Sequence, residues 1–170
     1  SLSVKQWSSL SSGAVRGMGK AALAGLGASC AGFTVEQANE LQSNSFDACS
    51  GLTATCGRVF SLDGISGLSH SCVSKLTIEF VASLNVTHVS HLGEVACSGF
   101  TAENLVGFTT SCQGFSQKQL EQIENEHSTM CSGFQASCLE NIPILSFHGF
   151  GATCTARMSP SQLQAISEDR

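Results

Sequence analysis

The residues able to do chemistry are nine cysteines, five histidines and one glycosylation triplet, spread over 170 residues. The cysteines come in register. Cys30, Cys49, Cys56 and Cys72 recur as Cys112, Cys131, Cys138 and Cys154, each at an offset of 82. Cys97 is left over, and its counterpart at that offset is Val15, so the slot accepts a plain apolar residue. Nine cysteines are many for a reducing compartment and point to disulfides in a secreted or surface protein. The triplet Asn85-Val86-Thr87 agrees, as an acceptor for an N-glycan. Catalytic and metal readings of the same residues lack partners. No Cys-x-x-Cys pair supports a zinc ribbon. His70, Ser71 and Cys72 adjoin, yet nothing marks a nucleophile elbow or an oxyanion hole. His88 and His91 could share a helix face, but no third ligand is near, and they read as a solvated pair; His127 and His148 stand apart. Gly17-Met18-Gly19-Lys20 lacks the spacing of a phosphate loop. Lys118 with Glu121, Glu124 and Glu126 reads as a solvated helix face. The sequence therefore predicts no catalytic residue, no cofactor and no metal.

What positions the cysteines is a repeat. An ungapped comparison of residues 1–82 with 83–164 gives 21 identities, among them Cys30-Ala31-Gly32-Phe33 against Cys112-Gln113-Gly114-Phe115. Residues 165–170 reopen the pattern, since Ala165-Ile166-Ser167 lies on Ser83-Leu84-Asn85. The expected organisation is a first long unit at 1–82, a second at 83–164 and the start of a third at 165–170.

A finer period sits inside each long unit. Apolar anchors fall at Leu2, Leu10, Met18, Leu26, Phe33, Leu41, Leu52, Phe60, Leu68 and Leu76, and again from Leu84 to Ile166. The step is eight, apart from one seven and one eleven in each long unit. Ser or Thr often follows the anchor, as at Thr34, Thr53, Ser61, Thr77, Thr101, Ser116 and Ser159, and a second apolar residue falls five places after it. Read as a helix start, the hydroxyl is the N-cap, and anchor and second apolar residue form the hydrophobic staple. Pro160 then falls at the first helical position, where a missing N–H costs nothing. Helices of one to two turns are unstable alone and must bury their stripe on neighbouring units.

The predicted fold is thus all-α: one continuous solenoid of short helices running unbroken through Leu76, Leu84 and Leu92. The alternative is a β-solenoid or leucine-rich-repeat horseshoe, which scarce period-two alternation disfavours. Glycines in the Cys-x-Gly-apolar corners, such as Gly32, Gly51, Gly99, Gly114 and Gly133, are expected to supply positive φ at bends. If two short units make one turn of the coil, cysteines two units apart stack. That predicts disulfides Cys30–Cys49, Cys56–Cys72, Cys112–Cys131 and Cys138–Cys154. Cys97 is then a buried thiol, a competitor for Cys112, or the site of an intermolecular bond.

The units Phe115-Ser116-Gln117-Lys118-Gln119-Leu120-Glu121-Gln122-Ile123 and Met158-Ser159-Pro160-Ser161-Gln162-Leu163-Gln164-Ala165-Ile166 resemble the L-(S/T)-P-x-Q-(L/I)-x-x-(L/I) octads of very long secreted or surface repeat proteins of single-celled eukaryotes, such as chytrid fungi and protists. The Cys-Ser-Gly-Phe corners are similar too. The resemblance covers nearly the whole chain, but this sequence has only two Pro and departs in its seven- and eleven-residue steps. It implies cell-surface or fibrous material and no catalytic residue.

Charge agrees. A net charge of -5 with no basic run argues against nucleic acid or an anionic membrane surface as partner. No stretch of about 18 apolar residues is present to span a bilayer. Ser and Thr fill 38 positions where charges would be usual. The expected function is a glycosylated, disulfide-stapled extracellular building block of a filament, wall or coat. It would associate head to tail, because both ends read as ordinary repeat sequence without caps. The alternative is a solenoid that binds a protein or glycan.

Overall fold

The computed structural model describes residues 2–41, 47–126 and 130–167, so His127 lies outside the described residues. Their regular structure is helical throughout, with no strand, and the β alternative is disfavoured. In chain order the helices fall into tiers of three; α marks α-helices and η marks 3-10 helices. The first tier is α1 (Val4–Ser8), α2 (Ser12–Arg16) and α3 (Lys20–Ala24). The second is η1 (Gly27–Gly32), α4 (Val35–Glu40) and η2 (Ala48–Gly51). Then come α5 (Ala54–Val59), α6 (Leu62–Ser66) and α7 (His70–Val73), followed by α8 (Ile78–Ala82), α9 (Val86–His91) and α10 (Glu94–Cys97). The fifth tier is α11 (Ala102–Leu105), η3 (Thr110–Gly114) and α12 (Gln117–Glu126). The last are η4 (Met130–Gly133), α13 (Ala136–Leu139) and η5 (Ile144–Gly149), with α14 (Ala152–Thr155) and α15 (Pro160–Ser167) above them.

Local chemistry starts many of the helices where the sequence places them. All seven hydroxyls assigned as N-caps accept the backbone N–H three residues on, from Thr34 with Gln37 to Ser159 with Gln162. Each satisfies a donor that the first helical turn cannot. Pro160 opens α15. Every anchor from Phe33 to Met158 is buried in one core. Aromatic rings run along that core, with Trp7, Phe33, Phe60 and Phe80 at successive centroid separations of 4.9, 4.8 and 5.8 Å.

Lateral packing follows a single rule: each helix packs on the third helix after it. The first file is α1, η1, α5, α8, α11, η4 and α14. The second is α2, α4, α6, α9, η3, α13 and α15, and the third is α3, η2, α7, α10, α12 and η5. A tier therefore holds three short units, not two. The 82-residue counterpart of α1, α9, is the tenth described helix after it, and ten is not a multiple of three. Counterparts in the two long units accordingly lie in different files: α1 in the first, α9 in the second.

The corner glycines have a different cause from the one expected. Among described glycines only Gly27 has positive φ, at 52°. A Cβ on Gly32, Gly51, Gly99, Gly114 or Gly133 would instead overlap the carbonyl oxygen of Val4, Lys20, His70, Val86 or Ala102. Each of those residues opens the helix one tier below in the same file. Glycine is needed there because backbone presses on backbone between tiers.

Candidate functional site

The features that single this chain out lie in the seams between tiers. Four disulfides close them: Cys30–Cys56, Cys49–Cys72, Cys112–Cys138 and Cys131–Cys154. Their Cα separations of 5.2 to 5.4 Å are ordinary for a bridged pair. The eight cysteines expected in disulfides are all bridged, but the expected pairings Cys30–Cys49, Cys56–Cys72, Cys112–Cys131 and Cys138–Cys154 are corrected. With three helices per tier, Cys30 on η1 and Cys49 on η2 sit in different files, as do Cys56 on α5 and Cys72 on α7. The second set fails likewise, with Cys112 on η3 and Cys131 on η4, and Cys138 on α13 and Cys154 on α14.

The observed pairs obey one register. The first cysteine sits three residues before an anchor, in a Cys-x-Gly corner. Its partner sits four residues after the anchor two units on, one tier higher in the same file. Sequence separations of 26 and 23 recur in both long units, the longer pair spanning the eleven-residue step. Each closed loop contributes about 3 kcal/mol in the chain-entropy account.

A polar seam runs beside the sulfur seam, and sequence reasoning missed it. At the third helical position Gln37, His88, Asn104, Gln119 and Gln162 are buried. Each turns one side-chain atom back to accept the N–H of its own N-cap. The side chain's donor crosses to carbonyls that lie about one turn of three helices back along the chain. Gln119 Nε2 reaches the carbonyls of Val89 and Leu92 at 2.9 and 2.8 Å, and Gln37 reaches those of Trp7 and Leu10 at 3.0 and 2.9 Å. Gln162 serves Cys131 and Phe134, and the shorter Asn104 serves Val73 alone. Ser29, Ser61 and Ser146 donate to Leu2, Phe33 and Phe115 in the same sense. These bonds occupy carbonyls at helix ends that a packed seam would otherwise strand. The signal was present: Gln recurs just before the second apolar residue, in Gln6-Trp7, Gln37-Ala38, Gln119-Leu120 and Gln162-Leu163.

The histidines and acids fall into this scheme. His88 belongs to the seam and not to a solvated pair: it is buried, its Nδ1 accepts from Asn85 N–H, and its Nε2–H therefore donates to Phe60 O at 3.1 Å. Burial, opposed by the Phe60 carbonyl, holds its pKa below the ordinary 6.5. His91 is exposed, with Nδ1 against Thr87 O at 2.8 Å, and His148 is exposed. His70 Nδ1 meets Ser98 Oγ at 2.8 Å, one tier up, and its neighbour Cys72 is bridged and carries no free thiol. The acidic cluster also divides. Lys118 pairs with Glu94 at 3.9 Å, Glu121 takes a bond from Gln117, and Glu124 caps α14 by accepting from Gly151 and Cys154 N–H. That replaces the side-chain cap that Gly151 lacks.

Cys97 is free and fully buried, and burial together with the Glu94 carboxylate pushes its thiol pKa up. It lies on α10 in the third file, whereas Cys112 lies in the second, so the two do not compete. Cys97 occupies the corner slot of a staple, three residues before Phe100. The partner slot one tier up, four residues after Phe115, holds Gln119. Asn85 caps α9 through Oδ1, which accepts His88 N–H at 2.9 Å, and its side chain is exposed.

Shallow clefts lie between tiers. One of about 520 Å³ is bordered by Leu68, His70, Glu94 and the exposed Val95. Among the described residues no three His, Cys, Asp or Glu side chains gather in a way that could hold a metal ion, and no helix is long and apolar enough to cross a membrane. Four disulfides are compatible with an oxidising, extracellular setting. No protein-family model, curated protein or solved structure matches the chain.

Proposed function

We propose that this chain is a non-catalytic structural rod: a three-sided helical solenoid that serves as a segment of an extracellular filament, wall or coat. The observation that carries the reading is the seam. Every disulfide and every glutamine bridge joins one tier to the next in the same direction, so chemistry is spent on tier-to-tier cohesion. A repeat of short helices with few charges has little else to resist unfolding outside the cell, and covalent staples supply it. The octad resemblance and the Ser/Thr-rich surface point to the same setting.

Small-angle scattering of the purified chain tests the shape. Six full tiers and a partial seventh, at roughly 8–10 Å per packed helix, make a rod about 60 Å long. A compact chain of this size would have a radius of gyration of about 15 Å, and that result would sink the reading. Peptide mapping without reduction should return the four pairings above.

A further inference from the structure

We propose that the chain carries a pH-sensitive joint between its third and fourth tiers, where the bond from His88 to Phe60 stands in for the disulfides and amide bridges that close the neighbouring seams. The joint lies inside the chain and does not require the chain to be part of a filament.

The staples are unevenly placed. Cys30–Cys56 and Cys49–Cys72 tie the second tier to the third, Cys112–Cys138 ties the fifth to the sixth, and Cys131–Cys154 ties η4 to α14. No disulfide crosses the interval from Cys72 to Cys112, although the free Cys97 lies within it. The third helical positions show the same gap. In the third tier they are Cys56, Gly64 and Cys72, and both cysteines are bridged to the tier before. In the fifth tier Asn104 and Gln119 reach back with amides. In the fourth tier they are Phe80, His88 and Ala96, and of these only His88 is polar. Among the described residues, one other side-chain hydrogen bond crosses this junction, between His70 and Ser98. The cleft of about 520 Å³ lies here as well, with Leu68 and His70 on one side and Glu94 and Val95 on the other.

His88 fits this place in one protonation state only. In the neutral ring the two nitrogens take opposite roles: Nδ1 accepts Asn85 N–H at 3.3 Å, and Nε2–H donates to Phe60 O at 3.1 Å. Protonation makes Nδ1 a donor that faces the Asn85 N–H, which breaks the capping box, and it puts a charge on a residue that is 5% exposed. A glutamine in the same slot has no such second state. His70 behaves differently. Ser98 Oγ gives its hydrogen to Val95 O, so His70 Nδ1–H is already the donor to Ser98, and a second ring proton leaves that bond in place.

Few charges surround His88. α6 contributes Asp63, α5 has Arg58 two residues before Phe60, and α9 itself adds His91; all three are exposed, where water screens them. η3, on the other side, holds no titratable group because Cys112 is bridged. Burial, opposed by the Phe60 carbonyl and reinforced by His91, holds the His88 pKa below 6.5, whereas in an opened joint the ring takes its proton at the ordinary value. The closed joint is therefore at full strength above pH 6.5, and opening gains as pH falls below 6.5 through the folded value.

The test is amide hydrogen exchange read by NMR on the oxidised natural chain, with rates corrected for the intrinsic effect of pH. From about pH 7 to about pH 5 the opening constants of the His88, Val89 and Leu92 amides in and beside α9 should rise severalfold. Those of Ala38 and Leu139, which lie within disulfide-closed loops, should stay nearly constant. His88→Gln should abolish the rise, while His70→Gln and His91→Gln should keep it. If His88→Gln does not fold, the natural chain still decides, because the His88 ring should titrate below 6.5. Unchanged α9 protection in acid, an equal loss throughout the chain, a rise that survives in folded His88→Gln, or a His88 ring that titrates at or above 6.5 would each overturn the joint.

Discussion

Replacing Gln119 by Leu, beside the same replacement at Gln6, isolates what holds one tier to the next. Both residues stand at the third position of a short helix, and both return Oε1 to their own N-cap N–H. They differ in what lies below. Gln119 gives two further bonds, to Val89 and Leu92, from a side chain that is 2% exposed. Leu keeps the volume, removes three hydrogen bonds and strands carbonyls in a dry seam. At about 1 kcal/mol net for each bond the loss is about 3 kcal/mol. Gln6 surrenders a single bond at an exposed site, worth about 0.5 kcal/mol. For a chain of this length those losses correspond to about 9 °C and about 2 °C in melting temperature. Thermal melts followed by helical circular dichroism, with disulfides intact, measure both. Equal losses at the two positions would show that capping alone explains the glutamines, and the inter-tier account would fail.

Three further perturbations follow from the seam. His88 is held neutral by burial, so its folded pKa lies below 6.5; its contribution is complete above that pH and is lost as pH falls through the folded value. His88→Gln, which keeps a third-position donor, should therefore flatten the melting-temperature profile below pH 6.5 relative to the natural chain, and an unchanged acid slope would count against this. Asn85 caps α9 through Oδ1 and leaves its amide nitrogen at the surface, so material from a secreting host should carry a glycan there, read as a mass increment on the tryptic peptide that glycosidase removes. Gln119→Cys completes the staple register with Cys97 and should lower the mass by two hydrogens. Closing that loop is worth about 3 kcal/mol and offsets the lost amide bonds, so the variant should melt near the natural chain and well above Gln119→Leu. A free thiol at position 119 in the folded protein would refute the register.

Much of the fold was legible because it is local. An anchor, a hydroxyl after it and an apolar residue five places on describe a capped, stapled turn of helix, and those contacts span at most seven residues. The 3-10 corners and the elongated α12 were not separately legible, but they leave the period intact. What the period does not encode is how many units make a tier. Eight residues fix a helix and a bend; the bend angle decides whether the coil closes in two units or three, and that angle emerges from packing between residues 23 to 31 apart. A single wrong count moved every disulfide to the wrong partner, although the eight bridged positions and the register of each half were already visible.

The same miscount hid the polar seam. With two units per tier, Gln37 and Gln119 have nothing useful below them and look like surface residues. With three, the third helical position of one tier stands over the carbonyls that end a helix of the tier beneath, and a long amide there satisfies both its own cap and its neighbour's end. Glycine at the corner and glutamine at the third position are then two answers to one constraint. Tiers this close leave no room for a Cβ where backbones touch, and the buried carbonyls there need a donor from the protein. The cysteines exploit the same close approach, since short side chains can bridge only where tiers already meet. On this account the staples strengthen a geometry that the glycines and glutamines have set. Four disulfides reduced in the native state should then loosen the packing without changing which helix packs on which, whereas substitution of Gly32, Gly51, Gly99, Gly114 or Gly133 should disrupt it even with every disulfide intact.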